Sequence, residues 1–427
     1  MLKTPGPAML ILYVHLFCGL ALSTKQTNLI SSKNSVSQGS PAVLNNKIPF
    51  GLKTSRTSDV VDYLMSNASM TTRKTSITTN KPSRHIQFLD TDPGKWLYWS
   101  LNYAALPIIS AICVFSNIVN ISIFLKVGLR DGASVIFLGL SFSDMFYCCI
   151  KLVHAVLRSL ESVMYQYPFV RLSHLGFILG YYARMFFDIS VLITVFAGVQ
   201  KCACVATPLT FRKFFTFRRS LTTIVLMYVC PLIYYLPQFT NSFLWARVDP
   251  QFNRTRLMVR HVNLDLAWVL FSMNKAVNRI SIPFVAETVL IFCVAIMTHK
   301  LRQAAATRYS MTSTSVQEKQ SASVGKGDTG SKLSAKELRV IRSVNIICLI
   351  FIVGTAPRCI IEGCDLALDE FGDHMKLYYF LSSIQELIIH LSIAANILVY
   401  YMFNAKYRES FREIFSGCHT ATKSGDD

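Results

Sequence analysis

The stretch ASVIFLGLSFSDMFYCCIKLVHAVL, residues 133–157, is long and apolar enough to cross a bilayer as a helix, yet carries one carboxylate, Asp144, near its centre. A charged side chain at mid-bilayer costs at least about 2.5 to 3.5 kcal/mol unless it is paired or hydrated, so Asp144 must face the interior of a helix bundle. Outward from this stretch the hydropathy rises and falls in the same way, with apolar runs at 97–126, 133–157, 175–205, 220–241, 277–299, 340–364 and 377–403. Each can cross with tilt. The pattern predicts an all-α integral membrane protein, a bundle of seven transmembrane helices over 97–403.

The rest of the 427-residue chain agrees with this reading. The hydrophobic fraction is 52% and the charged fraction 16%, which excludes a soluble scaffold or a basic nucleic-acid binder despite the formal net charge of +19. Lys and Arg gather beside alternate ends of the spans, at Lys126 and Arg130, Arg212 to Arg219, Lys300 to Arg342, and Lys406 to Arg412. These ends are expected to face the cytoplasm. Lys3, the apolar run from Ala8 to Leu22 and the small residues at Ala21-Leu22-Ser23 predict a signal peptide over 1–23, an uncleaved first span being the alternative. Residues 24–96, rich in Ser, Thr, Asn and Lys, read as a disordered extracellular tail, and 303–336 as a flexible cytoplasmic loop. The protein is thus expected in the plasma membrane, multi-pass, with its N-terminus outside. Sequons at Asn67 and Asn253 fall on the expected outer side as glycosylation sites.

Three further polar residues sit at depths similar to Asp144: Asn117 in the first span, Ser190 in the third and Asn396 in the seventh. Together they predict one buried, hydrated cluster. Asn117, the L-S-x-S-D run ending at Asp144, Pro208-Leu209, Pro283, Pro357 and the run from Asn396 to Tyr400 resemble the rhodopsin-like (class A) G-protein-coupled receptors over residues 97–416. Residues 404–427 resemble that family's short amphipathic eighth helix and tail, with Cys418 after the helix as a lipidation candidate or a free thiol. The runs Cys202-Ala203-Cys204-Val205 and Ser143-Asp144-Met145-Phe146-Tyr147 are similar to divergent molluscan and related invertebrate chemosensory-type receptors, with invertebrate neuropeptide receptors as the rival.

The resemblance implies a receptor that binds an extracellular ligand and activates a heterotrimeric G protein. It also implies an allosteric sodium ion at Asp144, Ser190 and Asn396, a hydrogen-bonded polar knot being the alternative. G-protein coupling and switching fall to Gln200, Lys201, Cys202, Pro357 and Tyr400. Departures matter here: Gln200-Lys201-Cys202 replaces the usual acid, Arg and aromatic, the sixth helix lacks its Trp, and no Cys serves the usual outer disulfide. The implied ligand pocket holds Arg184, Asp188, Arg279, Arg358, Glu386 and His390. Either Arg184 pairs with Asp188 and Arg358 with Glu386, or an unpaired arginine holds an acidic group of a small molecule or peptide. Ala183 and His390, at the amine-binding and retinal-binding positions, argue against amine and light reception. No nucleophile-base pair, phosphate loop or metal-ligand spacing points to catalysis, and His154 and His174 read as interface or loop residues. A transporter or channel is the alternative of another class, disfavoured by the absence of a repeated half.

Overall fold

The structure is a computed structural model that describes residues 91–129, 132–164, 170–206, 215–249, 253–317, 335–367 and 375–421. The expected signal peptide, most of the expected tail with Asn67, and the middle of the 303–336 segment lie outside the described residues. Among the described residues, seven helices are long and apolar enough to cross a membrane. They are α1 (Asp92–Val127), α2 (Gly132–Met164), α3 (Leu172–Ala206), α4 (Phe217–Asn241), α5 (264–317), α6 (Ala335–Ala367) and α7 (Met375–Phe403). A strand pair, β1 (Ser242–Asp249) and β2 (Arg254–His261), joins α4 to α5, and α8 (Ala405–Ala421) follows α7.

Several boundaries differ from the hydropathy reading for local reasons. Thr91 caps α1, its Oγ1 accepting from the Gly94 amide at 3.3 Å, and Pro93 sits in the first turn. Residues 92–96 are therefore helix, not tail, because capping acts through polar residues that hydropathy passes over. The fifth helix begins at Leu264, where the Asn263 side chain accepts from the Leu266 amide at 3.1 Å. Its apolar opening turn is cut off by the polar segment Asn274–Ser281, which winds as a wide π-helix, and this interruption moved the expected start to 277. At its other end α5 continues to Gln317 through Ala304, Ala305 and Ala306, good helix formers in a segment expected to be loop. Cys418 lies on α8 rather than after it.

The strand pair is a two-stranded antiparallel sheet in which Ser242 faces His261 and Asp249 faces Arg254. No cystine ties it to the bundle, since neither strand contains a cysteine. Backbone and histidine contacts hold it instead. Val170 bridges Leu257, the Arg171 amide donates to Leu257 O at 3.1 Å, and the Val259 amide donates to Nδ1 of the buried His174 at 2.9 Å. His174 is thus an anchor of the hairpin. At the hairpin base the Val262 amide donates to Asn241 O at 2.9 Å, and Ser242 Oγ lies 3.0 Å from His261 Nδ1.

Burial ranks the helices. In the most apolar window of α2, 61% of residues are buried, against 22% in α4, so α2 and α3 lie central and α4 peripheral. Apolar side chains left exposed on the outer faces, such as Phe115 on α1, Ile233 on α4, Phe292 on α5, Val353 on α6 and Leu398 on α7, form the surface a bilayer would cover. At the end opposite the hairpin, Phe124, Phe137, Tyr400 and Tyr407 cluster in tilted and edge-on ring contacts with centroids 5.0 to 5.9 Å apart. Tyr407 anchors α8, its hydroxyl donating to Asn120 Oδ1 at 2.6 Å, while Asn404 caps the helix through the Tyr407 amide and Lys126 pairs with Glu413 at 2.9 Å. Burial among these rings raises the Tyr407 phenol above its ordinary pKa.

Candidate ligand and ion site

Five polar or ionisable residues of α2, Asp144, Tyr147, Lys151, His154 and Arg158, recur at intervals of three and four and so share one helical face. That stripe organises one wall of the interior. At its deep end Asp144 is buried and accepts from Ser190 Oγ on α3 at 2.6 Å and from Asn396 Nδ2 on α7 at 3.3 Å. The expected trio is therefore one contiguous cluster. Asn117 is separate: its amide donates to Cys113 O at 2.9 Å, and its Oδ1 accepts from Asn120. Asp144, Ser190, Thr194, Thr355, Ser392 and Asn396 supply the polar lining of a cavity of about 30 Å³, with Phe187 and Leu140 among its apolar walls. That space suits a water molecule or a small cation, and one carboxylate with hydroxyl oxygens around it suits the cation chemically. Among the described residues no three His, Cys, Asp or Glu side chains converge as a metal site.

Further along the stripe the structure rearranges the expected ion pairs. Glu386 does not meet Arg358; it pairs with Lys151 at 2.5 Å, joining α7 to α2. Arg158 donates to Asn102 on α1 at 2.7 Å, and Asn102 Oδ1 also accepts from Ser383 on α7 at 3.0 Å. His390 is buried one turn from Glu386, its Nδ1 2.8 Å from Glu386 O and its ring 5.4 Å from that of Tyr147. His390 thus sits at the α2–α7 contact, with its Nε2 buried and without a hydrogen-bond partner.

The opposite wall is built by α3, α4, α5 and α6. Arg279 pairs with Glu362 at 2.6 Å, and Lys275 with Asp365 at 2.7 Å. Asp188 is buried, and its Oδ2 accepts from Tyr235 at 2.6 Å and from Asn278 at 2.6 Å. Arg184 lies within electrostatic reach of Asp188, yet no ion pair within 4 Å joins them. The pairing expected between these neighbours on one helix gives way to hydrogen bonds from two other helices. Arg184 and Arg358 instead hold their guanidinium groups 5.9 and 5.0 Å from the centre of the Phe187 ring. Arg358 is 2% exposed; its Nη2 donates to Asn278 O at 3.3 Å and its Nε has no hydrogen-bond partner. Among the described residues, Arg184 and Arg358 thus combine high positive charge with no carboxylate at ion-pair distance.

Sequence reasoning missed Lys151, Asn278, Glu287, Thr355 and Glu362. Lys151, Glu287 and Glu362 carried a signal, a charge inside an apolar run. Glu287, buried on α5, accepts from the Thr355 hydroxyl on α6, so Thr355 ties α5 to α6 two residues before Pro357. Of the expected coupling residues, Gln200 is buried and its Nε2 donates to Ser220 on α4 at 3.4 Å. Cys202 lies against α5, Tyr400 is enclosed in the aromatic cluster, and Lys201 is half-buried in the last turns of α3. The sequon residue Asn253 is exposed at the hairpin turn with φ of 47°. No protein-family profile and no curated protein matches this chain.

Proposed function

We propose that this chain is a rhodopsin-like G-protein-coupled receptor of the plasma membrane, N-terminus outside, whose ligand carries an acidic group. The observation that carries the reading is the arginine pair beside Phe187. Arg358 is a buried charge with an unpartnered Nε, which is costly, and a carboxylate arriving between it and Arg184 would relieve that cost while accepting charge-assisted hydrogen bonds. Phe187 also lines the Asp144 cavity, so ligand and ion would act on the same segment of α3. A cation bound to one arrangement of the helices shifts the equilibrium towards it, and the ligand shifts it back. The seven-helix order, the short eighth helix and the kink-forming Pro357 support the class.

An acidic peptide is the second reading, favoured by the hairpin. Arg247, Arg254 and Arg260 are exposed there, Arg260 standing 5.2 Å from the Trp245 ring, a basic and aromatic face that would steer an acidic segment inward. The test is a screen of carboxylates and acidic peptides on cells expressing the chain, read by second messenger. Arg358→Ala should lower the potency of the active compound at least tenfold, about 1.4 kcal/mol, with surface expression near normal. Unchanged potency would remove the arginine from the ligand site.

A further inference from the structure

Away from the ligand and ion sites, sulfur gathers where α3 crosses α5 and α6. Gly198 makes the crossing close: a Cβ there would stand 2.8 Å from Leu290 Cδ2 on α5 and 3.3 Å from Cys348 Sγ on α6. With no side chain between them, the backbones of α3 and α5 approach. Cys202 follows Gly198 by four residues and Cys293 follows Leu290 by three, so both project on the faces that meet. Cys202 packs on the buried cluster of Val205, Cys293 and Met297. Cys293 is buried, whereas Cys202 is partly exposed four residues before the end of α3, within reach of a small solute.

We infer that Cys202 and Cys293 form an oxidisable dithiol, a modification site for small hydroperoxides that closes to a disulfide between α3 and α5. Cys202 is the first nucleophile because it is the more accessible of the two. Its thiolate attacks one oxygen of the hydroperoxide and becomes a sulfenic acid; for hydrogen peroxide, the leaving hydroxide takes up the thiol proton as water. The Cys293 sulfur then attacks the sulfenyl sulfur, forming the S–S bond and expelling the hydroxyl, which leaves with the Cys293 proton as a second water. Two thiols are oxidised and one peroxide is reduced. Two reduced thiols of the glutathione class reverse the bond: the first forms a mixed disulfide with one cysteine, and the second releases it as the small oxidised disulfide, leaving both cysteines reduced. Closure staples α3 to α5 beside Lys201, across a crossing that Gly198 already makes close.

The test uses the full-length protein in lipid nanodiscs, titrated with hydrogen peroxide, then alkylated, digested and analysed by mass spectrometry. The expected first product is a cross-linked pair of peptides carrying Cys202 and Cys293, lost on adding dithiothreitol. It should be absent in Cys202→Ser and in Cys293→Ser, and present in Cys348→Ser and Cys204→Ser. Thermal unfolding of each reduced variant checks that it folds, and in the wild type the oxidised form should melt at a higher temperature than the reduced form. Sulfinic acid on Cys202 with no cross-link, or a cross-link from Cys202 to Cys204 or Cys348, would overturn the assignment. These readouts do not depend on the identity of the ligand or on coupling to a G protein.

Discussion

At the residue scale, what distinguishes a functional charge in this interior is the company it keeps. Arg279 and Glu386 were as prominent in the sequence as Arg358, but each meets an opposite charge on a neighbouring helix, whereas Arg358 meets a ring face and a backbone carbonyl. Sequence alone could not separate them, because the partners Glu362 and Lys151 lie 83 and 235 positions away and only helix packing brings them together. Asp144 was legible, since a lone acid in an apolar run has few explanations. Asp144→Asn is expected to abolish any dependence of ligand affinity on sodium while the protein still reaches the surface; an equal sodium effect in wild type and variant would assign the cluster to helix packing alone. The Lys151–Glu386 pair predicts a different signature. Removing either charge alone should lower stability by about 3 kcal/mol, and Lys151→Met combined with Glu386→Gln should recover most of it, as a thermal-shift double-mutant cycle would show.

At the scale of elements, the seven spans could be read from hydropathy because membrane helices are long and apolar, and the structure keeps every one. Boundaries set by polar capping or by the π-helical segment Asn274–Ser281 could not be read, since there the backbone follows hydrogen bonds rather than apolar content. The hairpin had a signal that went unused: odd-numbered Phe243, Trp245 and Arg247 share one face of β1. Its attachment without a disulfide rests on His174 and the Val170–Leu257 bridge. His174→Ala should therefore raise hydrogen exchange at the Val259 amide at least tenfold while leaving exchange within α2 unchanged. Partial burial of His261 at the hairpin base lowers its pKa, so folding disfavours its proton. That stability is present above the ordinary histidine range and is lost as pH falls below it. Exchange at the Val262 amide, corrected for intrinsic rate, should rise as pH falls from 7.5 to about 5. A flat profile would show that protonation of His261 is not coupled to seating of the hairpin.

At the scale of the molecule, the proposed ligand site, the Asp144 cavity and the proposed coupling end follow one another along α3: Arg184 and Phe187, then Ser190, then Lys201 and Cys202. An acidic ligand drawing α6 towards Arg184 would move the helix segment that carries Thr355 and Pro357, disturbing the contact with Glu287 and letting the other half of α6 swing away from α3. The cleft so opened would present Lys201 to a G protein as a point charge rather than the fork an arginine gives. The most direct test of signalling is nucleotide exchange on heterotrimeric G proteins added to the purified protein in nanodiscs, with the active acid from the screen. A signalling receptor of this kind should give ligand-dependent exchange above that of empty discs, cut at least fivefold by Lys201→Ala while ligand affinity is unchanged. Exchange equal to that of empty discs with every class of G protein, alongside an acid-driven ion flux in liposomes, would contradict the receptor reading.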